Sequence, residues 1–163
     1  LAVQPSATGN GIDIYFGLVV RNARCTGYPA APLQNGELMT GRIVKLSWTF
    51  GSQGSGAISE QWVRDLEPTT SDPGGYGVVG LYVDDLFPNG TPQPQEELVA
   101  TTLGGDVFVY SPSGTLLFRT VVPGSAGLYN SIMAMDLNQD GCKELYISGS
   151  MGLHRFIQPM EEL

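Results

Sequence analysis

An internal repeat is the sequence feature that most limits how this chain can fold. Glu97–Thr102 aligns with Glu144–Gly149, each an acidic residue followed by a mainly apolar run. In both segments the second residue is a leucine that stands seven residues before a glycine. The match continues upstream, where 81–86 aligns with 132–137, and a third copy is recognisable in 11–17 and 41–46. Recurrence of this kind predicts an array of similar structural units.

Each unit reads as a set of short strands separated by turns that contain glycine or proline. The predicted strands are 14–20, 42–50 and 57–66 in the first unit, 76–83, 97–101, 106–110 and 115–122 in the middle unit, and 131–135, 145–148 and 153–157 in the third. The middle unit is complete. The first lacks its opening strand, and the third stops after its third strand.

Repeated four-stranded units are typical of β-propeller blades. We therefore predict an all-β fold, a partial β-propeller of about three four-stranded blades that form an incomplete ring. The chain is one propeller segment over 1–163, with approximate blades at 9–70, 74–123 and 128–163.

Composition is consistent with a β-rich protein outside the cell. The 163 residues include 22 Gly and 11 Pro, and only 15% are charged. The net charge of −8 argues against a nucleic-acid partner, which requires a basic surface. No apolar run approaches the roughly 18 residues that indicate a membrane span. The chain opens at Leu1, so either a leader has been removed or this is a piece of a longer protein.

The acidic segment 136–144 places oxygen-bearing side chains at alternate positions. Asp136, Asn138, Asp140 and Glu144 supply side-chain oxygens, and Cys142 supplies its backbone carbonyl. Such a set meets the preference of Ca²⁺ for six to eight oxygen ligands. The flanks are short and strand-like, which argues against the two helices of an EF-hand. An ordinary Asp-, Asn- and Gly-containing turn without metal is the alternative.

The strand, the pattern Asp-x-Asn-x-Asp-Gly-x-x-Glu and the following strand resemble the calcium-loop repeats of integrin α-like β-propellers, the FG-GAP or VCBS repeats. The resemblance covers most of the chain, and the third unit carries the closest match. It implies that Asp136, Asn138, Asp140, Cys142 and Glu144 bind Ca²⁺. The second loop departs from the pattern, because Phe87 stands at the third position and an insertion precedes Glu97. The first loop, around Asn10, lacks the early carboxylates.

About three blades are too few to close a ring, which usually needs four to eight. We expect the remaining blades to come from the same longer chain, or from other copies that share one ring. An arc without them would expose strands that natural β-proteins protect.

Other chemistry-bearing residues give weaker signals. His154 has no accompanying catalytic signature, and Asp84 and Asp85 are adjacent on a strand, so they point to opposite faces. Most aromatic residues lie in predicted strands, where packing between blades is expected, and Trp48 and Trp62 are the candidates for carbohydrate contact. Cys25 and Cys142 form a disulfide or remain separate; the sequence leaves both open. Asn89 begins a sequon that Pro92 follows directly.

Two functions follow from these expectations. The first is a noncatalytic, calcium-binding, extracellular or cell-surface propeller module for adhesion, ligand recognition or surface assembly, with a protein or a carbohydrate as its ligand. The alternative is the propeller portion of a secreted enzyme, of the polysaccharide lyase or phospholipase type, with its catalytic residues outside this segment. Fold alone does not separate them.

Overall fold

The computed structural model describes residues 1–6, 9–21, 39–52, 55–66, 77–86, 96–122, 128–157 and 161–162. These residues form twelve β-strands, and no α-helix occurs among them. None of the described segments is therefore a helix that could span a membrane. Cys25, Tyr76, Phe87 and Asn89 lie outside the described residues, so the predictions made on them stay predictions.

The strands assemble into three four-stranded sheets, each with its strands in chain order. Every paired strand is antiparallel to its neighbour. Sheet 1 contains β1 (Ala2–Pro5), β2 (Gly11–Arg21), β3 (Met39–Phe50) and β4 (Gly56–Leu66); sheet 2 contains β5 (Val78–Asp84), β6 (Glu97–Thr102), β7 (Asp106–Tyr110) and β8 (Leu116–Val121); sheet 3 contains β9 (Leu128–Met135), β10 (Glu144–Gly149), β11 (Gly152–Ile157) and β12 (Glu161–Glu162). The all-β prediction and the four strands of the middle unit are confirmed.

Two strand predictions were wrong. The first unit does have an opening strand, because Ala2–Pro5 pairs with β2 from Ala2 opposite Tyr15 to Pro5 opposite Ile12. The third unit does not stop after β11, because Glu161 and Glu162 pair with Ile157 and Phe156. Both strands are very short, and one ends in proline, so neither carries a strand signal of its own. Pairing with a longer neighbour creates them.

The pairing register supports the predicted alignment of the units. Lys45 pairs with Trp62 in sheet 1, and Val109 pairs with Phe118 in sheet 2; in each case a β-bulge follows immediately. Bulges re-aim a strand at a defined position. Their recurrence after Lys45 and Val109 makes these two residues equivalent, which places the two sheets in one structural register.

Sheet 2 lies between sheets 1 and 3, with both of its faces buried. One face contributes Leu98, Ala100, Phe108 and Tyr110 to a core with Tyr15, Ile43, Trp62 and Leu66 of sheet 1. The opposite face contributes Val99, Val107 and Val109 to a core with Leu145, Ile147 and Phe156 of sheet 3. Alternate residues of a strand point to opposite faces, so β6 and β7 need apolar residues at successive positions. Burying each large apolar side chain contributes about 1.5–3 kcal/mol.

The same aromatic contact occurs at both sheet interfaces. Trp62 of β4 packs against Tyr110 of β7, with ring centroids 6.2 Å apart. Phe118 of β8 packs against Phe156 of β11 at 6.4 Å. Trp62 is equivalent to Phe118 and Tyr110 to Phe156 by register. The three sheets are therefore stacked in one direction by one repeated mode of packing. Within the described residues they form no closed ring.

Candidate metal site in the loop between β9 and β10

The acidic loop connects two paired strands. Met135, the last residue of β9, lies opposite Glu144, the first residue of β10. Strands on both sides confirm the prediction that the flanks are not EF-hand helices. The loop is consequently held at both ends by a hairpin whose inward-facing residues belong to the core.

Three side chains of the loop fold back over its backbone. The Asp136 carboxylate accepts hydrogen bonds from the backbone N–H groups of Asp140 at 3.1 Å and Gly141 at 2.9 Å. Asn138 Oδ1 accepts a second bond from the Asp140 N–H at 3.1 Å, and Asp140 Oδ1 accepts one from the Cys142 N–H at 2.8 Å. Asp and Asn side chains commonly stabilise turns in this way. Here the bonds bring the oxygens of three predicted ligands to the same turn.

The backbone of this turn requires unusual conformations. Gly141 has a φ of 88°, in the left-handed region that glycine adopts without strain. Gln139, at 60°, is the non-glycine residue with positive φ among the described residues. The sequence predicted the role of Gly141 correctly but gave no signal for Gln139.

Glu144 is engaged by protein groups. Its side chain is buried. Glu144 Oε2 accepts a hydrogen bond from the Leu137 N–H at 3.0 Å, and Oε1 accepts one from Arg155 Nη2 at 3.0 Å. Glu144 can join a metal site only by sharing these oxygens or by releasing Arg155. The sequence did not indicate the Arg155 contact, which depends on β11 lying beside β10.

The chemistry of the loop fits Ca²⁺ better than a softer metal. Two carboxylates and an amide oxygen are hard donors, and the segment from Leu137 to Gly141 is exposed, which leaves room for water ligands. In the described part of the chain, no three His, Cys, Asp or Glu side chains are gathered closely enough to hold a metal. Asp136, Asn138 and Asp140 therefore form the core of the candidate site, with Cys142 two positions before β10.

The second loop reproduces the Glu144 contact without the ligand pattern. The Leu86 N–H donates to Glu97 Oε2 at 2.9 Å, as the Leu137 N–H does to Glu144. Register makes Glu97 equivalent to Glu144, because Glu97 pairs with Asp84 at the end of β5 and Glu144 pairs with Met135 at the end of β9. A glutamate at this position thus has a structural role whether or not its loop suits a metal.

The first unit places Asp13 at the corresponding position. Asp13 is buried and forms an ion pair with Lys45 at 2.9 Å, and it accepts a hydrogen bond from Ser47 Oγ. Asn10 lies at the other side of the hairpin and donates to the Phe50 carbonyl at 3.2 Å. Asn10 and Asp13 therefore bond to different partners in the described structure. A buried acid beside a basic residue therefore replaces the metal-loop pattern in sheet 1.

A contact with sheet 2 fixes the position of the acidic loop. Lys143 Nζ lies 2.5 Å from Asp84 Oδ1 at the end of β5. Asp84 Oδ2 accepts the Tyr82 hydroxyl at 2.8 Å, and that hydroxyl accepts the Ala134 N–H of β9 at 3.3 Å. This chain of bonds joins the loop, β5 and β9. Asp84 is thus part of an inter-sheet contact.

Glu96 lies in a strongly acidic environment at the same end of sheet 2. Burial raises the pKa of Glu96 above its ordinary value, and the negative charges of Asp84, Asp85 and Asp13 raise it further. The positive charge of Lys143 opposes the rise in pKa. No local sequence pattern indicates this cluster, because Asp13 lies in sheet 1 and Lys143 in the loop of sheet 3.

The weaker candidates from the sequence, two tryptophans, a histidine and a cysteine, lie in the sheets or next to them. Trp62 is buried and donates its indole N–H to the Pro112 carbonyl at 3.1 Å, so it has the core role expected for the aromatic residues. Trp48 is partly exposed and contacts Phe50 at 5.9 Å between ring centroids. His154 lies opposite Ile147 on the face of sheet 3 that packs against sheet 2. Cys142 is half-buried and is not in a disulfide within the described residues.

Comparison of the chain with protein-family models, curated proteins and solved structures finds no match. The functional assignment therefore depends on the residues and their geometry.

Proposed function

We propose that this chain is a noncatalytic, calcium-binding segment of a β-propeller that serves ligand recognition or surface assembly outside the cell. The observation that carries the proposal is the fold of the acidic loop, in which the side chains of Asp136, Asn138 and Asp140 turn towards one short stretch of backbone. The resemblance of the loop to FG-GAP repeats supports the choice of calcium. The location, and a protein or carbohydrate as the ligand, belong to the proposal.

In this proposal, Asp136, Asn138, Asp140 and the Cys142 carbonyl bind the ion, and Glu144 joins them by giving up Arg155. Calcium would supply a cross-link between the end of β9 and the start of β10. Because the ion binds the folded loop in preference to the unfolded chain, calcium at about 100 times its Kd adds about 2.7 kcal/mol to stability. The metal acts as a structural clasp.

The loop also transmits this stabilisation to the neighbouring sheet. Lys143 belongs to the loop and pairs with Asp84 of sheet 2. Ordering the loop by calcium would hold Lys143 in place and so favour the packing of β9 on β5. The clasp therefore stabilises the stacking of two sheets as well as one hairpin.

The propeller assignment is supported by the repeated packing mode. In a propeller, four-stranded sheets follow one another around an axis, and each packs on the next. The equivalent bulges after Lys45 and Val109 and the equivalent aromatic contacts are expected from such an arrangement. Further sheets, from the same longer chain or from other copies, would complete the ring.

Thermal unfolding with and without calcium tests the function. We expect calcium to raise the melting temperature relative to EDTA, and Asp140→Ala to abolish the increase. Asp85→Ala is the matched control, because Asp85 occupies the first position of the second loop, where the ligand pattern fails. A melting temperature that is the same in calcium and in EDTA would exclude the clasp.

A further inference from the structure

The repeated stacking of the sheets leaves one apolar face free at each end of the described structure. The outer face of sheet 1 is defined by Ile14, Phe16, Val44 and Leu46. The outer face of sheet 3 is defined by Met133, Tyr146, Leu153 and Arg155. Within the described part of the chain, neither face is covered by another sheet.

The outer face of sheet 1 has the positions of a buried interface. By register, Ile14, Phe16, Val44 and Leu46 are equivalent to Leu98, Ala100, Phe108 and Tyr110. In sheet 2 those four residues are at most 4% exposed, because sheet 1 covers them. All four equivalents in sheet 1 are apolar yet only half-buried. Leu18 and Trp48 extend the same face and are 45% and 39% exposed. An apolar sheet face of this kind indicates a binding surface.

The outer face of sheet 3 has the complementary positions. Tyr146 and Leu153 are equivalent to Val99 and Val107, which sheet 3 buries completely in sheet 2. Leu153 is 68% exposed and Met133 is 46% exposed, whereas Tyr146 between them is 9% exposed. The apolar character of the face is therefore present, and its cover is absent from the described residues.

The ion pair of Glu144 and Arg155 on this face also indicates that a neighbouring sheet covers it. Glu144 and Arg155 occupy the positions of Asp13 and Lys45. At the interface of sheets 1 and 2, Lys45 is buried and donates to the Pro112 carbonyl of the adjoining sheet at 3.2 Å. Arg155 remains 41% exposed, and its buried Nε has no hydrogen-bond partner in the described structure. A neighbouring sheet of the same type would supply backbone carbonyls to Arg155, as sheet 2 does to Lys45.

We propose that the outer face of sheet 1 binds the outer face of sheet 3 of a second copy, so that chains associate head to tail. Both internal interfaces run in this direction, and the new contact continues them. Such an interface uses two different surfaces, and it leads to a closed ring or an open array depending on the rotation between copies. The inference rests on the stacked-sheet part of the proposed function and does not depend on calcium.

Two variants that block one face each provide the test. Val44→Lys places a charge on the outer face of sheet 1, and Leu153→Lys places one on the outer face of sheet 3. Ser113→Lys, in the exposed β7–β8 turn, adds the same charge outside both faces. Sedimentation over a concentration series, in calcium and in EDTA, measures the mass, and circular dichroism establishes that each variant is folded. Leu18→Lys replaces Val44→Lys if the latter does not fold.

The wild type and Ser113→Lys are expected to associate beyond the 17.4 kDa of one chain. Each blocked variant alone stays monomeric, because every copy lacks one of the two surfaces. Their equimolar mixture forms a heterodimer of about twice 17.4 kDa, since one intact surface of each kind remains. A wild type that is monomeric throughout, association unchanged in either blocked variant, or no heterodimer from two folded variants would each overturn the proposal. Loss of the calcium effect alone would leave this result unaffected.

Discussion

Lys143 and Asp84 form an ion pair between the acidic loop of sheet 3 and the end of β5 in sheet 2, with Nζ and Oδ1 2.5 Å apart. The pair joins a candidate metal loop to a different sheet. It is partly exposed, so its direct contribution to stability is small. The pair matters because it holds the loop against sheet 2, so that an ordered loop favours the packing of β9 on β5.

A double-mutant cycle measures this connection. We expect Lys143→Met to lower the free energy of unfolding by about 0.5–1 kcal/mol, with a smaller effect at high salt. Because Lys143 and Asp84 share the interaction, the effects of Lys143→Met and Asp84→Asn should not be additive. Arg42→Met is the matched control, since Arg42 pairs with Asp65 within sheet 1 and should not interact energetically with Asp84. Full additivity of the Lys143 and Asp84 effects would contradict the role of the pair.

Glu144 has a structural role that is independent of metal. Glu144→Gln weakens the bond to Arg155, and we expect it to reduce stability in EDTA by about 1–3 kcal/mol. Glu97→Gln provides the comparison, because Glu97 receives the equivalent Leu86 N–H in a loop without the ligand pattern. Denaturant unfolding in EDTA and in calcium separates the two roles. A stability loss for Glu144→Gln that appears only in calcium would mean that Glu144 acts only as a ligand.

The environment of Glu96 makes stability depend on pH. Its pKa is raised in the folded chain, so the folded state holds the proton more tightly than the unfolded state. Stability from this group is therefore present below the unfolded pKa and is lost as pH rises through the folded pKa. We expect Glu96→Gln to unfold at a higher temperature than the wild type at neutral pH. The difference should shrink as pH falls through the folded pKa and should be smallest below the ordinary glutamate pKa of about 4.3. Equal differences at both pH values would contradict this.

Gly17 allows close packing of sheet 1 on sheet 2. A Cβ atom at this position would lie 2.7 Å from Val78 Cβ, closer than packed atoms allow. We expect Gly17→Ala to destabilise the chain by about 1–3 kcal/mol through overpacking. Val78→Ala should recover part of the loss when the two substitutions are combined, as measured by denaturant unfolding. No recovery would mean that the glycine serves another purpose.

The sequence predicted the parts of the fold that have strong local signals. Sheet 2 was predicted almost completely because its strands are apolar on both faces and end at Gly- or Pro-containing turns. β1 was missed because Ala2–Pro5 is short and becomes a strand only by pairing with β2. The alignment of Gly105 with Gly152 also misses a shift, because Leu98 pairs with Tyr110 whereas Leu145 pairs with Phe156, one residue sooner.

The candidate site was predictable only as a set of donors. Alternate Asp and Asn positions indicated a metal loop, and Gly141 indicated its turn. The contacts of Glu144 with Arg155 and of Lys143 with Asp84 join residues from separate strands or sheets, so no local pattern reveals them. These contacts are what assign Glu144 a structural role and connect the loop to sheet 2.

Calorimetric titration with Ca²⁺ measures directly whether the loop from Asp136 to Glu144 binds calcium. We expect one ion per chain, loss of binding in Asp136→Asn, and unchanged binding in Asp85→Asn, which alters the equivalent position of the second loop. Absence of binding by the folded wild type, or equal binding by wild type and Asp136→Asn, would contradict this expectation.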